Sequence, residues 1–321
     1  MFYLALVLCL LLAGCAPSTA PGASSGDTAG ESTQQETQAV TFTDDLGRQV
    51  TVENPQRVAV LIGSYADIWC LAGGKDTLVA AADDAWTSFD LGLGEDVANL
   101  GGVKETNLEV LLAAQPDLVL ASSNTAAQVD LLPTLEQAGL NVAYFMVSNF
   151  DEYLHMLDIC TQITGREDCY EQYGQALEEQ VEQARQRADG SQPKVLYVRA
   201  TGSSCKVKNS QDSVLGEMLA DLDCINIADS QSSLLEQLSL EVILQEDPDF
   251  IFAVLQGSDP TDAQRTLDET LLSNPAWQSL TAVKEGRFFV LDDQLYNLKP
   301  NARWGDAYEQ LADLLCANAP A

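Results

Sequence analysis

The chain has 321 residues, enough for two domains of ordinary size, and its 46% hydrophobic content allows a substantial core. It carries 48 acidic residues against 16 basic ones, a formal net charge of -32, so a nucleic acid backbone would be repelled. The one histidine, His155, excludes multi-histidine metal sites.

The first 40 residues are typical of an export and anchoring region. Residues 1–14 are an apolar run of signal-peptide length, too short to span a membrane. Leu12-Ala-Gly-Cys15 resembles the lipobox of bacterial lipoproteins, in which the cysteine is lipidated and becomes the first mature residue. Residues 15–40 form a polar tether without basic residues. We therefore expect an extracytoplasmic protein of a bacterium, held to the cell membrane only by a lipid at Cys15.

Six further cysteines belong to the folded body, and the sequence leaves their pairing open. Export permits disulfides, but a body of this size does not need them to fold. No C-x-x-C spacing occurs, which argues against a structural zinc site. The six are Cys70, Cys160, Cys169, Cys205, Cys224 and Cys316.

The body begins with a hairpin around Asp45-Leu46-Gly47 and continues as alternating β-rich and helical runs. We predict strands at 57–62, 78–82, 117–121 and 141–146, and helices at 64–73, 107–114 and 125–138. Short buried strands that alternate with helices indicate a mostly parallel sheet covered on both faces.

The same pattern starts again at residue 194. Strands are predicted at 194–199, 224–228, 249–253 and 287–291, with a closing helix at 301–317. Residues 107–121 align with 239–253 at seven identical positions of 15, and each copy has a helix, a Pro-Asp turn and a buried strand. An internal repeat of this kind predicts two similar lobes.

A long one-sided helix is expected between the lobes, because 166–189 lacks proline and places apolar residues three and four apart. The predicted fold class is α/β, with two Rossmann-like lobes of mostly parallel sheets joined by this helix and a ligand cleft between them. The predicted domains are 1–14 (signal peptide), 15–40 (lipidated cysteine and tether), 41–165 (first lobe), 166–189 (connecting helix) and 190–321 (second lobe).

This order of features resembles a substrate-binding lipoprotein of a bacterial ABC importer. Local matches are Asp45-Leu-Gly-Arg48, Gly101-Gly102, Ile163-Thr-Gly-Arg166 and Lys299-Pro-Asn-Ala-Arg303-Trp304. The closest class is the helix-linked one that binds ferric siderophores, haem or cobalamin. The resemblance covers about residues 41–318. It implies a monomer without a covalent cofactor that captures chelated iron or a tetrapyrrole and delivers it to a permease dimer with its ATPase subunits.

In this family a glutamate on each lobe docks on arginines of the permease, and the matching residues are Glu109 and Glu241. A duplicated carboxylate suits a two-fold partner, because complementary charge sets register. An alternative is purely local: each glutamate lies in the first turn of its helix, and Thr106-x-x-Glu109 also fits a capping box.

Candidate ligand contacts follow the carboxyl ends of the predicted strands, where ligands bind in open α/β sheets. In the first lobe they are Ser64, Tyr65, Asp84, Trp86, Ser123 and Asn124; in the second they are Arg199, Thr201, Ser203, Lys206, Lys208, Gln256, Ser258 and Tyr296, with Arg303 as a weaker candidate.

The basic candidates are the most informative of this set. Arg199, Lys206 and Lys208 place three of 16 basic residues within ten positions of an acidic chain, which suggests an anionic ligand. The alternative is a solvated loop that happens to carry lysines. Trp86 and Tyr65 could offer flat apolar faces to a large ligand, whereas Trp304 and Tyr308 continue an apolar helical stripe that predicts core packing.

No catalytic or metal-ligating set is predicted. A Ser-His or Cys-His pair would have to use His155, which lies on a helical segment away from strand ends. The main interpretation is an importer's binding protein and not an enzyme. The alternatives are a lipoprotein that binds another small molecule or a metal ion, and a surface hydrolase.

Overall fold

An antiparallel hairpin opens the ordered chain, as its turn sequence predicts. The computed structural model describes residues 39–211, 213–257 and 259–319, so the predicted leader, Cys15 and Ser258 lie outside the described residues. β1 (Val40–Thr43) pairs with β2 (Gln49–Val52). β1 starts at Val40, which is the last residue of the segment predicted as tether.

The first lobe is a parallel sheet with strand order β5-β4-β3-β6-β7. The strands at 58–60, 118–122 and 142–145 are fully buried and mostly apolar, as expected for a sheet covered on both faces. Its elements are β3 (Val58–Val60), α1 (Gly63–Leu71), β4 (Leu78–Ala81), α2 (Asp84–Thr87), β5 (Ala98–Asn99), α3 (Leu108–Ala113), β6 (Leu118–Ser122), α4 (Ala126–Val129), α5 (Leu132–Gln137) and β7 (Val142–Phe145).

The connection between the sheets is helical but not one helix. α6 (Phe150–Thr164) ends at Gly165, whose φ of 68° is a left-handed conformation that glycine adopts without strain. α7 (Glu167–Tyr170), a π-helical turn at Glu171–Gln175 and α8 (Ala176–Arg185) follow. The predicted helix at 166–189 is therefore present over 167–185, where a π-turn interrupts it, and it ends four residues before the predicted bound.

The second lobe repeats the parallel arrangement with order β10-β8-β11-β12, and β9 runs antiparallel to β8 on the same edge as β10. Its elements are β8 (Lys194–Ala200), β9 (Cys205–Lys208), α9 (Val214–Asp221), β10 (Ile225–Asn226), α10 (Ile227–Ser230), α11 (Ser233–Glu236), α12 (Leu240–Glu246), β11 (Phe250–Leu255), α13 (Pro260–Leu267), α14 (Thr281–Lys284), β12 (Phe288–Leu291), α15 (Asp293–Tyr296) and α16 (Trp304–Ala317).

One apolar cluster joins the two sheets, while separate clusters cover their outer faces. The shared cluster holds Val60 of the first sheet, Tyr197 of the second and Trp304 of α16. Trp304 packs against Phe150 and Tyr153 of α6, with ring centroids 5.8 and 6.2 Å apart. Both sheets accordingly belong to one compact unit, and Trp304 is a core residue as predicted.

A buried asparagine adds a polar contact between the lobes. Asn301 lies just before α16, and its Nδ2 donates to the backbone oxygen of Ser64 at 2.9 Å and to Oδ2 of Asp67 at 2.8 Å, both in α1. Its φ of 50° is unusual for a residue other than glycine. This contact fixes the segment before α16 against the first lobe.

The six cysteines of the body all carry free thiols. Cys160, Cys169 and Cys224 are buried, whereas Cys316 is exposed. The core is built without disulfides, in line with the expectation that a body of this size does not need them.

Candidate functional site

In each lobe the strand order of the sheet reverses between two neighbouring central strands. These are β3 and β6 in the first sheet and β8 and β11 in the second. From such a pair the connections run to opposite sides, which leaves a crevice beyond the carboxyl ends where ligands bind. The site is therefore expected between the residues that follow these strands.

The second lobe presents basic side chains at this place. β8 and β9 form a hairpin in which Arg199 pairs with Lys206, and Tyr197 with Lys208. Directly paired residues of antiparallel strands project to the same face. The other face of the hairpin packs in the outer core through Val198 and Val207. Arg199, Lys206 and Lys208 therefore share the face that carries Tyr197, so the lysines predicted as loop residues lie on a strand.

Two cations directly opposite each other destabilise a strand pair. The stability of the hairpin therefore does not explain why Lys206 lies opposite Arg199. Nε of Arg199 is buried and lacks a hydrogen bond of ordinary geometry among the described residues, although the Tyr197 hydroxyl on the same face interacts with the guanidinium. Lys206 is exposed. A half-buried guanidinium paired with a second cation is an arrangement that an anion would complete.

Lys299 lies in the segment that leads into α16; the sequence marks it as part of a family-like motif but not as a ligand contact. Burial lowers the pKa of Lys299, the charge of Arg199 lowers it further, and Glu152 and Asp84 act in the opposite direction. Lys299 is thus within electrostatic range of the end of β8 in one lobe and of two carboxylates in the other. With it, the group holds four of the 16 basic residues.

The carboxylates come from helix starts of the first lobe. Oδ1 of Asp84 accepts the backbone N–H of Gly63 at 2.8 Å, and a Cβ on Gly63 would lie 2.6 Å from the backbone nitrogen of Ala85, so only glycine fits there. Burial raises the pKa of the Asp84 carboxyl, while the Gly63 N–H and the charge of Lys299 oppose this. Glu152, in the first turn of α6, accepts the backbone N–H of Ser148 at 2.5 Å.

Three residues proposed as ligand contacts are core residues instead. Ser64, Tyr65 and Tyr296 are each no more than 2% exposed. The hydroxyl of Tyr65 donates to the backbone oxygen of Phe145, and that of Tyr296 to Ala307. Position after a strand located these residues correctly, but their side chains point into the apolar interior.

The remaining candidates are at least partly exposed at the carboxyl ends of strands. Trp86 is half-buried and packs against the shared core. The hydroxyl of Ser123 donates to the Phe145 oxygen, and Gln256 extends the β8–β11 pairing through its backbone N–H. Asn124 and Ser203 are exposed, and Thr201 organises the β8–β9 turn. Met146, which we did not nominate, follows β7 and is 39% exposed.

Glu109 and Glu241 occupy equivalent positions in the two lobes. Each is exposed in the first turn of its helix, α3 or α12. The helix starts are capped by Asn107 and Ser239, whose side chains accept the N–H groups of Val110 and Val242. The capping-box alternative for Thr106 and Glu109 is therefore wrong, since Asn107 is the N-cap. Arg303, the weaker candidate, is exposed near Asp306.

Other features do not point to catalysis or metal binding at this place. His155 is exposed on α6. Within the described ranges, no group of three or more histidine, cysteine or acidic side chains could hold a metal ion, and no helix is long and apolar enough to cross a membrane. A small cavity beside Pro193 and Phe250 opens at the amino ends of β8 and β11, opposite the charged cleft.

Comparisons with known proteins agree with this architecture. A family model described as periplasmic binding protein matches residues 58–295. A protein of Bacillus subtilis named as an ABC transporter substrate-binding lipoprotein, YhfQ, is 24% identical over 308 residues, which cover 88% of this chain and 89% of the relative. The Fe(3+)-citrate-binding protein YfmC of the same species is 25% identical over 263 residues, 78% of this chain and 77% of the relative.

A solved structure supports the fold independently. The periplasmic heme-binding protein RhuT from Roseiflexus sp. RS-1, in its apo form, superposes with a TM-score of 0.67 at 20% identity, covering 83% of this chain and 99% of that one. The two-lobed α/β fold predicted from the sequence is confirmed by this similarity.

Proposed function

Because this chain belongs to the periplasmic binding protein family, we propose that it is the extracytoplasmic substrate-binding protein of an ABC importer for an anionic iron chelate or tetrapyrrole. Proteins of this family carry chelated iron, haem or cobalamin as transported ligands and not as covalent cofactors. The observation that carries the choice of an anionic ligand is the direct pairing of Arg199 with Lys206 at the end of β8.

The ligand-binding surface in this proposal consists of partly exposed residues at the strand ends of both lobes. Trp86 supplies an apolar face, and the second lobe supplies the cations. The full set is Asp84, Trp86, Ser123, Asn124, Arg199, Thr201, Ser203, Lys206, Lys208 and Gln256. The protein acts as a carrier and not as an enzyme, so it binds and releases its ligand unchanged.

The remaining parts of the proposal concern where the protein works. Lipidation at Cys15 and the tether at 15–40 hold a monomeric body, with lobes at 41–165 and 190–321, close to the membrane. Glu109 and Glu241 dock on the permease dimer, which works with its ATPase subunits. Their equal exposure at equivalent helix starts supports this role.

A fluorescence titration tests ligand capture. Three of the four tryptophans, Trp69, Trp277 and Trp304, are no more than 1% exposed, whereas Trp86 is half-buried beside the cleft. The chain from Thr37 onward, which forms one compact unit, is titrated with ferric citrate, a ferric catecholate, haem and cyanocobalamin. We expect saturable one-to-one quenching by an anionic member, largely lost in Trp86→Phe. Silence across the whole panel would refute this ligand class.

Docking is tested separately by uptake in cells. Glu109→Ala combined with Glu241→Ala should abolish uptake and leave ligand affinity unchanged, because neither carboxylate lies in the cleft. Glu178→Ala with Glu179→Ala is the matched control, since these exposed residues are in the first turn of α8 and remove the same charge. Lost affinity or normal uptake in the Glu109/Glu241 double variant would refute the docking assignment.

A further inference from the structure

The helices that carry Glu109 and Glu241 differ in the apolar residue beside the glutamate. In the internal repeat, Leu112 of α3 corresponds to Leu244 of α12, and each follows its glutamate by three positions. Leu112 is 39% exposed, whereas Leu244 packs against the outer core of the second lobe. Two leucines at equivalent positions therefore have different surroundings, and the one in the first lobe is open to solvent.

Leu112 lies on the same face of α3 as Glu109. Residues three apart on a helix are surface neighbours, with Cβ atoms about 5–6 Å apart. Leu111 is the buried residue of this helix, and Ala113 is exposed like Glu109. The exposed side of α3 is thus a carboxylate with apolar surface beside it. At the position of Ala113, the second lobe has the exposed amide of Gln245.

The charge ahead of each helix differs as well. Three residues before the N-cap, the first lobe has Lys104 and the second has Glu236, and both side chains are exposed. Residues 104–109 contain one lysine and two glutamates, whereas residues 236–241 contain two glutamates and no basic residue. The helix start of the second lobe is therefore the more negative of the two, and that of the first lobe is the more apolar.

Both helix starts point to the side of the molecule that holds the cleft. α3 leads by a short turn into β6, and α12 leads in the same way into β11. Each helix runs back along a parallel strand, so its start lies toward the carboxyl end of the sheet. The backbone N–H of Asn107 bonds to the oxygen of Leu100, which follows β5, and this fixes the start of α3 there. One partner that covers the cleft can contact both helix starts.

From this difference we propose that Leu112 is the apolar anchor of permease docking, whereas the contact of the second lobe at Glu241 is mainly electrostatic. The inference rests on the proposed function and deepens it. The partner surface that fits is an apolar depression next to a basic side chain. Complementary charge sets orientation and the rate of encounter, and a buried apolar side chain slows dissociation. A two-fold permease offers both features twice, and each lobe uses the feature that its own side chains match.

Binding to permease-bearing membranes separates the apolar part of docking from the electrostatic part. The chain from Thr37 onward is labelled with a fluorophore at the exposed thiol of Cys316. It is added to right-side-out membrane vesicles of the source bacterium, from which the gene for this protein is deleted. Leu112→Ser should weaken binding about tenfold and leave its salt dependence unchanged, because the lost contact is apolar. Glu241→Gln should weaken binding strongly at about 0.05 M NaCl and little at about 0.5 M.

The matched control removes an equally exposed apolar side chain from the other end of a sheet. Ile225 is 46% exposed and pairs with Lys194 at the amino ends of β10 and β8, so Ile225→Ser should not change binding. Leu112→Met keeps an apolar side chain and should bind like wild type. Wild-type binding by Leu112→Ser would overturn the anchor role. A loss in Leu112→Ser that is accompanied by a lower midpoint of urea unfolding would overturn it too, because the leucine would then stabilise the fold.

Photocrosslinking in living cells separates a failure of this inference from a failure of the proposed function. In the full-length chain, p-benzoylphenylalanine replaces Glu109, Leu112 or Ile225, and the adducts are identified by mass spectrometry. We expect adducts with a membrane-spanning permease subunit from the positions of Glu109 and Leu112 and none from that of Ile225. An adduct from the position of Glu109 alone would overturn the role of Leu112 and leave the docking assignment in place. No permease adduct from either position would refute docking itself.

Discussion

The two lobes are alike at the starts of their central strands and unlike at the ends of these strands. In each lobe an aspartate of the repeated Pro-Asp turn accepts the backbone N–H that begins the first strand: Asp117 from Arg57 at 3.0 Å, and Asp249 from Lys194 at 2.8 Å. In both cases the backbone N–H of the aspartate is also bonded to that strand residue's oxygen.

The strand ends that form the cleft do not repeat. The first lobe places Asp84 and Glu152 there, whereas the second places Arg199, Lys206 and Lys208. In the proposed function, the duplicated features maintain the fold and address a two-fold partner, while the features that differ serve a ligand that has no such symmetry.

The repeated aspartates offer the largest test of the shared part. Asp117→Ala and Asp249→Ala should each lower the free energy of unfolding by about 1–2 kcal/mol, because each removes a charged acceptor from a backbone N–H at a strand start. The loss should be the larger at Asp117, which also accepts the backbone N–H of Gln56 at 2.8 Å. Urea denaturation measures both. The exposed Asp130→Ala is the control and should stay within about 0.5 kcal/mol of wild type. A loss of stability at only one of the two sites would show that the two copies of the Pro-Asp turn do not contribute equally to folding.

The cationic hairpin provides a smaller test of the part that differs. Lys206→Thr should raise stability by about 0.2–1 kcal/mol, because it removes a like charge opposite Arg199. The same variant should bind ferric citrate several-fold more weakly. Lys104→Thr, the same change at an exposed first-lobe lysine, should alter neither quantity. Lower stability together with unchanged affinity would mean that Lys206 has a structural role.

The junction between the lobes gives the smallest expected effect. Asp67 accepts a hydrogen bond from Asn301, but burial outweighs this bond and raises the pKa of its carboxyl. The charged form is therefore disfavoured on folding. Asp67→Asn keeps a hydrogen-bond acceptor and should raise Tm at neutral pH by about 2 °C. For a chain of this size, this corresponds to a gain of less than about 1 kcal/mol in the free energy of unfolding. The advantage should disappear as the pH falls through the raised pKa, where wild type becomes protonated.

A carboxylate with the opposite shift serves as its control. The guanidinium of Arg166 holds the pKa of the exposed Asp168 below its ordinary value. Asp168→Asn should therefore not stabilise the protein at neutral pH, and any loss should vanish at acid pH. Thermal unfolding across pH distinguishes the two. A pH-independent gain in Asp67→Asn would assign the effect to packing rather than to charge.

Residue patterns located most of the elements and grouped the basic residues proposed for the cleft. Buried apolar runs located the main strands, and the repeat located the lobes, because both depend on local order along the chain. Arg199, Lys206 and Lys208 stand close together in sequence, so their clustering was visible. β9 was missed, since a four-residue strand with two lysines does not stand out as a buried run.

The rest depends on contacts between distant segments. Lys299 and Glu152 lie 147 positions apart in the chain numbering, and the packing of Trp304 on α6 brings their segments together. Tyr65 and Tyr296 follow strands as predicted, yet the side-chain direction depends on which neighbours surround them. Neither the proximity of these distant segments nor the direction of these side chains can be predicted from the order of residues along the chain.

The clustering of Arg199, Lys206 and Lys208 on one hairpin of an acidic chain has a consequence for how ligands arrive. The molecule as a whole carries a formal charge of -32 and repels an approaching anion, whereas the proposed cleft attracts it. At physiological ionic strength the screening length is about 8 Å, so the distant repulsion is largely hidden while the attraction within the cleft remains. Salt should therefore speed the arrival of an anionic ligand, and the local cations determine how long it stays.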